Sequence, residues 1–143
     1  MPKRNASARW DGSLTEGHGT MRMASGAYEG PYSFGSRFEE GDGTNPEELI
    51  AAAHAGCYSM ALSGELGKAG HDVESIETEA TVHIDQVDDG FAIKRIELRT
   101  RVTASGLDDS DFQQAAEAAK EGCPVSQALA AVETIDLDAQ LTG

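Results

Sequence analysis

With 143 residues and a hydrophobic share of 39%, the chain is long enough to bury one substantial core. Its 25 acidic side chains against 11 basic ones leave a formal charge of −14, a field that repels nucleic acid and anionic membranes. Two cysteines are too few for a disulfide scaffold, and the N-terminus lacks an apolar signal-peptide core. A single cytoplasmic domain spanning residues 1–143 is therefore expected.

Ala8 to Asp11 and Thr20 to Ser25 read as short strands around the glycine-rich Gly12 to Gly19. Tyr28 to Phe38 carries Tyr32, Phe34 and Phe38 at even positions, which predicts a third strand, and Glu39 to Gly43 reads as a turn. Asn45 then offers a helix N-cap, with Pro46 at the first helical position. From Leu49 to Leu62 the residues are small or apolar apart from His54 and Ser59, and Gly64 and Gly67 offer an end. This predicts a central helix of about 20 residues, roughly 30 Å long. It is apolar nearly all round and should be buried, but its apolar run is too short for a membrane span.

Val73 to Val87 reads as a long strand, Asp88-Asp89-Gly90 as a hairpin turn, and Phe91 to Ala104 as the returning strand. The apolar parity slips between Ile93 and Ile96, which predicts a bulge. Asp109 or Ser110 caps a second helix with Phe112, Ala115, Ala116 and Ala119 on one face, and Gly122 stops it. Pro124 to Ala131 reads as a third, short helix and Val132 to Leu141 as a closing strand. Strands arriving in hairpins predict an α+β fold with mostly antiparallel sheet.

The candidate chemistry lies at the two cysteines. A lone cysteine is most simply a small buried hydrophobe. Cys123, however, precedes Pro124 at a helix start, where unpaired N–H groups favour a thiolate. Cys57 sits mid-helix and needs a cation brought by tertiary structure; Arg37 is one candidate, with Arg22, Arg95, Arg99 and Arg101 as competitors. Glu47 and Glu48 suit the first turn of a helix as ordinary dipole partners, and Glu48 is placed for a capping box with Asn45. Glu47 precedes Cys57 by ten residues, about 80° around the helix but about 15 Å along it. To act at Cys57 it must come from a second copy, with two central helices packed antiparallel, which would also cover so apolar a helix.

The four histidines, His18, His54, His71 and His83, have no familiar zinc spacing with each other or with the cysteines. His54, three residues before Cys57, suits either a helix contact or a base in acyl chemistry. No glycine-rich phosphate loop follows a strand, and the few aromatics form no stacking platform.

Taken in order, Ser36-Arg37-Phe38-Glu39-Glu40-Gly41, Gly43-Thr44-Asn45-Pro46-Glu47-Glu48-Leu49, Ala52-Ala53-His54-Ala55-Gly56-Cys57 and Gly122-Cys123-Pro124-Val125-Ser126 resemble the OsmC/Ohr family of peroxidases, on its OsmC branch. The resemblance covers nearly the whole chain. It implies an intertwined homodimer in which sheets wrap two central helices and active sites lie at the subunit interface. It implies Cys57 as the peroxidatic thiolate, Cys123 as the resolving thiol, and Arg37 with Glu47 as the pair beside the reactive sulfur; separately, the residue spacing leads to the expectation of no cofactor and no metal. The implied substrate is a small organic hydroperoxide, with hydrogen peroxide poorer, and the implied reductant is a dithiol, of lipoyl type or another. Leu49, Met60 and a strand-borne Phe38 are the apolar residues expected to favour an organic substrate. Two other readings stand beside this one: a cysteine-pair redox sensor or binding module without turnover, and a Cys57/His54 hydrolase in which Cys123 is dispensable.

Overall fold

The computed structural model describes residues 1–143, which divide into two compact units, Met1–Leu49 and Ile50–Gly143. The first unit is an antiparallel meander of β1 (Ala6–Asp11), β2 (His18–Met23) and β3 (Glu29–Tyr32), in that order. The expected strand from Tyr28 to Phe38 stops at Tyr32. Ser33 caps a one-turn helix α1 (Phe34–Phe38) instead. Its hydroxyl accepts from the Ser36 N–H at 3.1 Å while the Ser36 hydroxyl accepts from the Ser33 N–H at 2.8 Å. The aromatic spacing was ambiguous because positions four apart also meet on a helix, and Phe34 and Phe38 stack at 4.9 Å between ring centroids.

The turn that follows is held tightly. The Ser36 hydroxyl donates to the Thr44 carbonyl at 2.7 Å, and the Thr44 N–H donates to the Pro31 carbonyl at 2.9 Å. Gly43 makes the reversal with φ +115°, and a Cβ there would lie 2.7 Å from the Pro31 oxygen. Asn45 caps α2 (Pro46–Lys68) as expected, accepting from the Glu48 N–H at 2.8 Å. Glu48 does not complete a capping box; its carboxylate accepts from the Thr44 hydroxyl at 2.7 Å.

Helix α2 starts in the first unit, continues into the second, and overruns Gly64 and Gly67. It ends where Gly70, at φ +84°, lets the His71 N–H reach the Leu66 carbonyl and the Gly70 N–H reach the Gly67 carbonyl, each at 3.0 Å. No helix is long and apolar enough to cross a membrane.

The second unit adds β4 (Val73–Val87), β5 (Gly90–Ala104), α3 (Asp109–Gly122), α4 (Pro124–Ala128) and β6 (Thr134–Thr142). The β4–β5 hairpin is antiparallel, and β6 joins β5 in parallel, so the sheets are mostly antiparallel as expected. His83 faces Arg95 and Ile84 faces Ile93, so Lys94 is the extra residue of the expected bulge. Asp108, one residue earlier than expected, caps α3. Helix α4 closes at Ala128, three residues short of the expected end, and the last strand begins at Thr134.

One core fills this unit. Tyr58, Leu62 and Leu66 of α2 cluster with Ile96, Leu98 and Val102 of β5 and with Phe112, Ala116 and Ala119 of α3. Each large apolar side chain enclosed there contributes about 1.5–3 kcal/mol. The Tyr58 hydroxyl donates to the Ala116 carbonyl at 3.0 Å, so its polar end is satisfied inside the core.

The expectation that α2 is buried all round holds for one face only. Ala53, Gly56, Met60, Ser63, Gly64 and Gly67 are exposed along the other, and Met60 is 79% exposed.

Candidate active site

The four residues expected to carry chemistry form two pairs, one in each unit. In the first unit, α1 presents Arg37 and the first turn of α2 presents Glu47. Arg37 donates through Nη2 to Glu47 Oε1 at 2.7 Å, and through Nε to Oε1 and Oε2 at 3.2 and 3.1 Å. The Glu47 side chain is 7% exposed and that of Arg37 36%, so the carboxylate is sequestered while part of the guanidinium faces outward. The Glu47 hydrogen bond raises the Arg37 pKa further, against the opposing effect of burial, so the guanidinium stays charged. Two-pronged contact also fixes its orientation.

Phe38 lies under the guanidinium, its ring centroid 5.1 Å from Cζ. Beside it opens a cavity of about 220 Å³ whose lining includes Trp10, Leu14, Tyr32, Phe34, Arg37 and Phe38. Phe38 is thus helix-borne rather than strand-borne, and Trp10 and Tyr32, 5.2 Å apart between centroids, were not expected there.

In the second unit, α2 carries Cys57 and the α3–α4 junction carries Cys123. Both are free thiols, Cys57 half-buried and Cys123 fully buried, close enough for each to shift the other's acidity. Burial, and then the hydrogen bond with Cys123, push the Cys57 thiol above its ordinary value. Burial also acts to raise Cys123, but it is outweighed by the Cys57 hydrogen bond, the Ser126 and Val125 N–H groups and the Ser126 hydroxyl, and that thiol is lowered. The Cys123 sulfur makes no side-chain cap hydrogen bond on α4.

The expected apolar neighbours of Cys57 are only partly available. Met60 projects from the uncovered face of α2, and Leu49 belongs to the first unit. His54 is fully buried, and its Nε2 lies 2.7 Å from the Ser126 hydroxyl. Ser126 was not singled out from the sequence. Its spacing was the available signal: it stands three residues after Cys123, where the two ends of the first turn of α4 meet.

A family model described as OsmC-like protein matches residues 39–138. The chain is 52% identical over 130 residues to the peroxiredoxin OsmC of Escherichia coli, covering 90% of this chain and 91% of that one. It is 36% identical over 87 residues to the organic hydroperoxide resistance protein OhrB of Bacillus subtilis, covering 60% and 62%. Among solved structures, an organic hydroperoxide resistance protein from Elizabethkingia anophelis superposes with a TM-score of 0.76 at 24% identity, covering 100% of this chain and 97% of that one. The chain belongs to the OsmC-like protein family.

Proposed function

We propose that this protein is a thiol peroxidase that reduces organic hydroperoxides to alcohols and so defends against oxidative stress. The observation that carries the reading is the facing of two free thiols inside a chain whose relatives are named peroxiredoxin and organic hydroperoxide resistance protein. In this reading the Cys57 thiolate attacks the distal oxygen of ROOH, giving ROH and a Cys57 sulfenic acid. Cys123 displaces water from the sulfenic acid and forms a disulfide, and a dithiol, of lipoyl type or another, restores both thiols. Free cysteines persist in a reducing compartment such as the cytoplasm.

Within one chain the Cys57 thiol is raised, so the reading requires a cation. We assign that role to Arg37, oriented by Glu47, from a second copy of the chain. The uncovered face of α2 supports such a homodimer. Added Cβ atoms at Gly56, Gly64 and Gly67 would meet nothing within 4 Å, so nothing inside the chain calls for glycine there. Each costs up to about 1 kcal/mol relative to alanine in a helix, a cost that close approach of another helix offsets. We read the two compact units as one OsmC-like domain, since the family model runs across both.

The aromatic cavity beside Arg37 suits an apolar alkyl group. Steady-state peroxide consumption with dithiothreitol tests the assignment. Turnover of cumene hydroperoxide should exceed that of hydrogen peroxide; equal efficiencies would contradict the substrate assignment. The elevated Cys57 thiol favours one competing reading, a redox sensor that is oxidised once and slowly. Its signature is oxidation of a single equivalent with no recycling by dithiol.

A further inference from the structure

The interior of the second unit holds a polar pair to which the peroxidase steps above assign no role. His54 of α2 and Ser126 of α4 are both buried and bonded to each other, Nε2 to Oγ at 2.7 Å. An enclosed imidazole is costly unless its polar atoms are used. The Nδ1 atom of His54 has no partner in the chain. A bare lone pair is cheaper to leave unpaired than an N–H, which assigns the ring proton to Nε2. Nε2–H then donates to the Ser126 oxygen. The Ser126 proton is left free to point elsewhere; Ser126 is the third residue of α4, whose N-cap is Cys123, so its hydroxyl lies within the same helical turn as that thiol and acts to lower it.

We propose that His54 and Ser126 are positioning residues for the resolving thiol, a relay from Nε2–H through the Ser126 hydroxyl to the Cys123 sulfur that stabilises the attacking thiolate. The assignment of Cys123 as resolving thiol rests on the peroxidase reading above. Cys123 first gives its proton to water. Its thiolate attacks the sulfenic sulfur of Cys57; the S–S bond forms, the S–O bond breaks, and hydroxide leaves and takes up that proton. Thiol plus sulfenic acid become disulfide plus water, with Cys123 oxidised and the sulfenic sulfur reduced. The relay transfers no proton itself; it holds two donors in line behind the charge while that charge exists. Besides His54, the titratable groups tied to Cys123 are Cys57 and Tyr58 of α2, with Glu117 of α3 acting on Tyr58.

The test follows the thiolate absorbance of Cys123 against pH in the full-length Cys57→Ser protein, which needs no peroxide. Adding Ser126→Ala should raise the titration midpoint by about one pH unit, the effect of losing one hydrogen bond to a charged sulfur. Ser126→Thr, which keeps the hydroxyl, should restore it, and His54→Leu should raise it by less. An unchanged midpoint in Ser126→Ala overturns the relay, as does a shift that Ser126→Thr fails to correct, since that assigns the effect to packing. With Cys57 present, disulfide formation after one equivalent of peroxide should slow about tenfold in Ser126→Ala. If the wild-type protein forms no sulfenic acid at all, the peroxidase reading fails while the titration still decides the relay.

Discussion

Cys57 and Cys123 are neighbouring free thiols that shift one another's acidity, Cys57 upward, with burial as the main cause, and Cys123 downward. Within one chain, burial disfavours ionisation of the more accessible thiol. In the proposed reading a peroxidatic Cys57 needs a positive charge from outside its own surroundings, and that role is assigned to Arg37, charged and held by Glu47.

Arg37→Ala should lower kcat/KM for an organic hydroperoxide by about a hundredfold or more, the range found when a preorganised donor is removed. Arg37→Lys should rescue little, because lysine cannot reproduce the two-pronged contact with Glu47. Stopped-flow oxidation of Cys57 against pH gives the check. The apparent pKa of Cys57 should rise in Arg37→Ala, and an unaltered pKa would remove Arg37 from the site.

If the uncovered face of α2 forms the proposed homodimer, Met60→Lys should separate it and abolish turnover while leaving the chain folded. Met60 meets solvent within one chain, so a lysine there costs the monomer fold little. Light scattering with circular dichroism distinguishes the outcomes. A fully active dimeric Met60→Lys would show that this face is not the interface.

Burial holds the His54 imidazole below its ordinary value of 6.5. The unfolded chain binds a proton there as pH drops below about 6.5, and the folded chain does not. The contribution of neutral His54 is thus complete above the unfolded value and is lost as pH falls from there toward the lower folded value. Urea midpoints measured from about pH 8 to about pH 5 should fall more steeply for wild type than for His54→Gln. Parallel curves would mean that His54 ionises inside the fold as easily as outside it.

The long elements announced themselves in the sequence because local signals agreed. Asn45-Pro46 marked the start of α2 to the residue, and the slip from Ile93 to Ile96 gave away the bulge at Lys94. Tyr28 to Phe38 misled because its even spacing fits positions two apart on a strand and four apart on a helix, and a pair of serines settled the matter locally. The burial of α2 was overestimated because composition reports how apolar a helix is, not which of its faces the rest of the chain covers. Pairing of Arg37 with Glu47, ten residues away, depends on the tight turn at Gly43, and the choice among five arginines was open until the family motif was considered. His54 with Ser126 joins residues 72 apart in sequence, a separation at which spacing carries no information.

Phe34→Ala should open the aromatic cavity and raise KM for cumene hydroperoxide several-fold, with little effect on hydrogen peroxide. The corresponding loss, about 1 kcal/mol, is at the low end for an apolar contact in a binding pocket. Equal losses on both peroxides would indicate that Phe34 supports the fold of α1 rather than the substrate.

The most direct measurement is peroxide consumption with tert-butyl hydroperoxide and dithiothreitol by wild type, Cys57→Ser and Cys123→Ser. Cys57→Ser should be inert. Cys123→Ser should reduce one equivalent of peroxide, turn over poorly, and accumulate the sulfinic acid at Cys57 seen by mass spectrometry. Wild-type activity in Cys57→Ser would contradict the assignment of Cys57 and the peroxidase mechanism built on it.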